Sequence, residues 1–180
     1  MRALRRLPTL AVLLCIAVLP VHAYKALVVS VHDGDSLRIR RHERHEENER
    51  TERIRLAGVD APELEQPFGF AARSVTERLT LGQTVTIHER GYDRYGRTVA
   101  DVTNSQGINV NQTLVKTGMA WWYQEYAPHD HILERLQISA KRKRLGIWAD
   151  PGSIPPWDYR RIAAHENEAL RTAERNSPLR

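Results

Sequence analysis

Two runs rich in β-branched and apolar residues, 25–31 and 36–41, are separated only by a short segment centred on Asp33-Gly34-Asp35. An Asp-Gly turn this tight sends the chain straight back on itself, so the two runs must pair as antiparallel neighbours. Residues 53–57 supply a third strand, and the three make a meander. The intervening stretch, 42–52, is almost entirely charged; it cannot be core and reads as a solvated hairpin excursion. His42 and His45 lie in that excursion without cysteine partners, so they read as exposed histidines rather than a zinc site.

The periodicity then changes. Phe68, Ala71, Ala72, Val75 and Leu79 follow helical spacing, with Gly82 where a helix would stop. Strand patterns return at 84–88 and 98–103, on either side of the turn-rich 91–97. A short helix runs from about Asn109 to Gly118, and Ile132, Leu133, Leu136 and Ala140 mark a third helix closed by Gly146. With a further short strand before the last helix, five short strands interleaved with helices fit an α+β fold, a five-stranded OB-fold-like Greek-key β-barrel with three α-helices; strand count alone does not fix the topology. Beyond Trp148 the composition shifts: Asp150-Pro151-Gly152 and Pro155-Pro156 interrupt helix, Trp157 is placed to pin the segment, and 159–180 is polar enough to fray. The expected organisation is a leader at 1–23, one domain at 24–148 and an extension at 149–180.

The leader assignment rests on Arg2, Arg5 and Arg6, the apolar run 10–19 and the small-residue exit Val21-His22-Ala23. Cleavage after Ala23 would send the chain to the periplasm or the medium; the alternative is an uncleaved membrane anchor, for which the run is short. The single cysteine, Cys15, lies inside this run, so the mature chain would hold no disulfide and no thiolate metal site. Without the three leader arginines the formal charge falls from +5 to +2, and clustering matters more than the total. Lys141-Arg142-Lys143-Arg144 and Arg38, Arg40 and Arg41 are the clusters that would attract a polyanion; the former equally suits a solvated helix face.

Three acids stand at turns or strand ends: Asp35, Asp60 and Glu63. Carboxylates are the hard oxygen ligands that calcium takes, but the spacing from Asp33 excludes an EF-hand, with neither glycine sixth nor glutamate twelfth. Arg55 and Arg97 are the cationic counterpart, since a guanidinium can grip two phosphate oxygens at once. Taken singly, each of these residues suits an ordinary turn or surface strand.

Together they resemble a family. Asp33-Gly34-Asp35-Ser36, then Arg55-Leu56-Ala57-Gly58-Val59-Asp60-Ala61-Pro62-Glu63, then Asp93-Arg94-Tyr95-Gly96-Arg97 and finally Gly146-Ile147-Trp148 follow the order and approximate spacing of staphylococcal nuclease. The likeness spans about 25–148. It implies a calcium-dependent nuclease of DNA and RNA, with Asp35, Asp60 and the Ala61 carbonyl as metal ligands. Ala61 stands where relatives often carry threonine, which preserves a carbonyl contact but no side-chain role. By the same resemblance Glu63 would activate water, Arg55 and Arg97 would hold the scissile phosphate, Arg94 and Tyr95 would lie beside the nucleotide, and the products would carry a 3′-phosphate.

Trp121, Trp122, Tyr123 and Tyr126 form an aromatic cluster on which unwound bases could stack, with Tyr123 preferred over Tyr126 and at least one tryptophan assigned to the core. Two other classes compete with the enzyme. One is a non-catalytic nucleic-acid-binding module, which would be marked by loss of the acids or arginines; the other is an envelope interaction protein working through 150–180. No protein partner is implied, a monomer is expected, and the five residues of the catalytic set are all present.

Overall fold

The computed structural model describes residues 23–41 and 50–176. The leader up to residue 22, the excursion at 42–49 with His42 and His45, and residues 177–180 lie outside the described residues. In chain order the elements are β1 (Ala23–Val31), β2 (Ser36–Arg40), β3 (Thr51–Leu56), β4 (Val59–Asp60), α1 (Gly69–Thr80), β5 (Thr84–Tyr92), β6 (Thr98–Thr103), α2 (Val110–Lys116), β7 (Trp121–Trp122), α3 (His131–Arg142) and α4 (Pro156–Asn176). A single 3-10 turn, Gly146–Ala149, precedes α4.

Strand alternation builds the core. Leu37 and Ile39, Ile54 and Leu56, Val85 and Ile87, and Ala100 and Val102 all point inward and are buried. Ala26 and Val28 start β1 in the same phase, and a register shift between Val28 and Ser30 turns Val31 inward as well. Burying each of the larger aliphatic side chains is worth about 2 kcal/mol. The barrel closes in the order β1-β2-β3-β6-β5, with β1 antiparallel to β5 and β3 parallel to β6. That parallel pair is what brings two distant stretches side by side: Arg55 lies opposite Val99, two residues past Arg97.

The five-stranded barrel agrees with the sequence reading, and three details differ from it. First, α1 buries Ala72, Thr76 and Thr80 while Ala71 is exposed, so its inner stripe includes two threonines that an apolar pattern does not register. Both hydroxyls are satisfied: Thr76 donates to the Gly34 carbonyl at 2.5 Å and Thr80 to the Thr76 carbonyl at 2.7 Å. Second, α3 ends at Arg142 rather than at Gly146. Arg144, at φ 52°, takes the left-handed position, with Leu145 N–H donating to the Ala140 carbonyl and Arg144 N–H to that of Lys141. Third, the polar extension holds a fourth helix, α4, of 21 residues, and Pro156 opens it at a position where a missing N–H costs nothing. Among the described residues no helix is long and apolar enough to cross a membrane.

Gly146 is needed for packing rather than for ending a helix. A Cβ there would stand 2.1 Å from the Gly118 carbonyl oxygen, and a Cβ on Gly118 would stand 2.1 Å from that of Leu145. Both glycines also have positive φ, and the Ile147 N–H donates to the Gly118 carbonyl at 2.9 Å. Gly146→Ala combines steric overlap with a conformation alanine avoids, so urea unfolding should register a loss of more than about 1 kcal/mol. A midpoint equal to that of the parent would contradict this account of the contact.

Candidate active site

At one side of the barrel lies a cleft of about 850 Å³ whose basic lining is arginine throughout: Arg53, Arg55, Arg94, Arg97, Arg160 and Arg161. Arg55 projects from β3 with its side chain only 14% exposed. One end of its guanidinium is paired with Asp35, which follows the Gly34 turn, and the other donates to Asp60 Oδ1 at 2.6 Å. Burial pushes Arg55 below its usual range, an effect opposed by the charges of Asp60 and Asp33 and reinforced by that of Arg97. Asp35 and Asp60 are themselves buried, at 4% and 1% exposed.

The two acids are set by backbone contacts. Asp60 sits in β4, paired with Trp121 of β7 in a two-residue ribbon. Asp35 Oδ2 accepts the Ala61 N–H at 2.6 Å, which ties the first turn to the loop after β4. Gly34 makes that approach possible: a Cβ there would stand 2.5 Å from the Ala61 Cβ and 2.8 Å from that of Ala72. Glu63 follows Pro62, where its backbone N–H donates to Gln66 Oε1 at 2.9 Å and its carboxylate faces the cleft.

Arg97 is aimed by Asp93. One carboxylate oxygen of Asp93 accepts the backbone N–H groups of Tyr95 and Arg97, both at 2.9 Å, while the other accepts Arg97 Nε at 2.6 Å. Gly96, at φ 71°, permits the turn, Arg53 fastens it by donating to the Tyr95 carbonyl at 3.0 Å, and Arg97 reaches Ser36 Oγ at 3.3 Å. Tyr95 is exposed, with the Arg94 guanidinium 4.8 Å from its ring centre.

The structure brings together Asp35, Arg55, Asp60, Ala61, Glu63 and Arg97, with Arg94 and Tyr95 at the rim. Tyr123 also lines the cleft, but one face of its ring is stacked on Trp157 at 5.0 Å between centroids and 10° between planes. Its hydroxyl is pushed upward, first by burial and then by Asp60 and Glu125. Tyr126, also in the cleft, is 71% exposed. Trp121 and Trp122 are buried, and Trp122 Nε1 donates to the Ala127 carbonyl at 2.9 Å. In the basic run, Lys141 lies over the Trp148 ring, 4.6 Å from its centre.

Sequence reasoning missed Arg160. From α4 it donates to Asp60 Oδ2 at 2.8 Å, Asp60 Oδ1 at 3.3 Å and Glu63 Oε1 at 2.6 Å. Burial alone would lower its pKa, but the hydrogen bonds and charges of Asp60 and Glu63 raise it above the usual arginine value. The available signal was Trp157 three residues earlier: a helix begun at Pro156 and anchored by that ring brings the next turn back onto the domain.

The donor set suits a hard divalent cation: two buried carboxylates converge on one point, where the Arg55 charge now lies, beside the Ala61 backbone. Among the described residues no three Asp, Glu, His or Cys side chains group closely enough to form a metal cage by themselves. Carboxylates, a candidate base and planar cations arranged around one open cleft are the equipment of a phosphodiester hydrolase.

The comparisons with known proteins agree. A family model described as staphylococcal nuclease homologue matches residues 53–150. A micrococcal nuclease of Shigella flexneri is 37% identical over 162 residues, covering 85% of this chain and 90% of its own. An uncharacterized endonuclease of Escherichia coli is 38% identical over 133 residues, 74% of this chain and 82% of its own. A further uncharacterized endonuclease, from Haemophilus influenzae, is 38% identical over 134 residues, covering 74% and 71%. The chain belongs to the staphylococcal nuclease family and is an enzyme, a nuclease that hydrolyses phosphodiester bonds.

The Asp93 tether makes stability depend on acid pH. Desolvation pushes this carboxyl up, but hydrogen bonds from Arg97 and Tyr95 outweigh it and hold the group below its ordinary range. The folded form therefore binds this proton less readily than the unfolded chain. Its contribution is complete above the unfolded pKa of about 4 and is lost as the pH falls through the lower folded value. Urea titrations should give a constant deficit for Asp93→Asn above about pH 5, closing as the pH drops below that unfolded pKa. A deficit independent of pH would show that Asp93 acts through packing alone.

Proposed function

We propose that the chain is a calcium-dependent nuclease cleaving DNA and RNA by in-line attack of water and leaving 3′-phosphate products. The observation that carries this reading is the convergence of Asp35, Asp60 and Glu63 with Arg55 and Arg97 around one cleft. Asp35, Asp60 and the Ala61 carbonyl would hold the cation, which when bound supplies Lewis-acid polarisation of a phosphate oxygen. Arg55 and Arg97 grip the non-bridging oxygens, where charge accumulates as the water oxygen bonds to phosphorus. Glu63 accepts the proton from that water, and the bond from phosphorus to the 5′ oxygen breaks. Arg94 and Tyr95 border the nucleotide at the exposed rim, and Tyr123 offers it an aromatic edge.

Release of acid-soluble fragments from single-stranded DNA and from RNA tests this reading. Activity should appear with calcium, vanish with chelator and be weak with magnesium, whose strict octahedral demand suits an open site poorly. Glu63→Gln should bind the substrate yet turn it over roughly 10²-fold more slowly. Full activity without any divalent ion, or unchanged turnover in Glu63→Gln, would remove the metal or the base from the mechanism.

We also propose that the chain is exported and cleaved after Ala23. The barrel's first strand begins at Ala23, opposite His88 of β5, with Tyr24 opposite Ile87, so the proposed cut falls after the first residue of β1 and leaves the register from Tyr24 onward to the mature chain. Amino-terminal analysis of the exported protein should give Tyr24 as the first residue. Recovery of the full-length chain in the membrane fraction would support the anchor instead.

A further inference from the structure

The assignments so far leave α4 without a role, although one of its side chains lies in the middle of the cleft. The start of this helix is held by contacts that do not involve Arg160. Trp157 stacks on Tyr123 and meets Trp121 edge-on at 6.5 Å, and Gln66 Nε2 donates to the Ile154 carbonyl at 2.9 Å. Ser153 Oγ donates to the Ile147 carbonyl at 2.7 Å. Gln66 uses its other end to fix the Glu63 backbone, so one buried glutamine sets both the loop of the base and the approach to α4.

Arg160 differs from Arg55 in how firmly it is kept. Arg55 is enclosed by barrel strands, whereas the Arg160 side chain remains 44% exposed on the open side of the cleft. Both terminal nitrogens of its fork are occupied by the Asp60 and Glu63 carboxylates, at the lining of the cleft that a phosphodiester must enter. Arg161, the next residue, lines the same cleft. A planar guanidinium half open to solvent can exchange a carboxylate for a phosphate, because both offer two oxygens at similar spacing.

We infer that Arg160 is a substrate-binding residue: the C-terminal helix supplies a further guanidinium that grips the nucleic-acid backbone, exchanging Asp60 and Glu63 for a phosphate of the bound strand. The inference rests on the nuclease reading of this cleft. It gives α4 a function in the reaction and explains why a polar helix is fastened by aromatic contacts beside the site. Before substrate enters, Arg160 also offsets the charge of the cleft, since Asp35, Asp60 and Glu63 otherwise have Arg55 as their only paired cation among the described contacts.

The test is a titration of an all-phosphorothioate single-stranded oligodeoxynucleotide, which keeps its charge and resists cleavage, followed by fluorescence anisotropy across a range of salt concentrations. The full chain is compared with Arg160→Gln and Arg160→Lys, each first checked for a parental melting temperature. Loss of one phosphate contact should weaken binding roughly tenfold at low salt and reduce the slope of log affinity against log salt by about 0.7 in Arg160→Gln. Arg160→Lys should restore the slope but only part of the affinity, because a point charge lacks the fork. Tighter binding by Arg160→Gln would make the residue a plug in the cleft and overturn the proposal. An unchanged slope, or affinity fully restored by lysine, would overturn it too. If the parent itself fails to bind the oligonucleotide, the nuclease reading fails; if the parent binds and only the Arg160 prediction fails, that reading stands and this inference alone falls.

Discussion

Arg55 stands on a barrel strand with its charge taken almost entirely out of water, and a buried guanidinium is tolerable only where carboxylates meet it. Asp35 and Asp60 meet it from two different turns. Removing one partner from such a pair generally costs about 3–5 kcal/mol, so the requirement reaches back into the fold. Asp35 must arrive through a turn without a side chain at Gly34, and Asp60 must be held by the short ribbon to Trp121. The arginine that grips phosphate in the proposed reaction thus also fixes the two carboxylates assigned to the cation.

The same economy operates on the other side of the cleft. Asp93 folds its own turn with one carboxylate oxygen and orients Arg97 with the other. Placement of Arg97 beside Arg55 depends on the parallel pairing of β3 with β6, the one parallel contact in the closed barrel. Behind this junction Asn111 of α2 closes the open backbone, accepting the Val102 N–H at 3.0 Å and donating to the carbonyls of Ala57 and Ala100. A buried amide with these bonds made is a rigid support for the strands that carry the arginines.

Much of the barrel was legible because period-two burial leaves a direct trace: Leu37 and Ile39, or Val85 and Ile87, alternate with polar residues in any reading of the chain. Less legible was α1, where threonines occupy inner positions once their hydroxyls find carbonyls. Arg144 likewise took a left-handed position usually given to glycine, leaving Gly146 free for its close contact with Gly118. The fourth helix was obscured by the prolines ahead of it, which read as interruptions although Pro156 begins the helix.

By itself the sequence determined the barrel, the tight turns that end in acids and the candidacy of Arg55 and Arg97, because these depend on alternation, turn chemistry and local spacing. Tertiary structure alone decided which charges meet. Asp60 and Arg160 are 100 positions apart, and nothing local in either segment encodes their contact. It arises because a tyrosine and two tryptophans pack together and carry a polar helix to the edge of the cleft, a consequence of aromatic burial over a distance no sequence window spans.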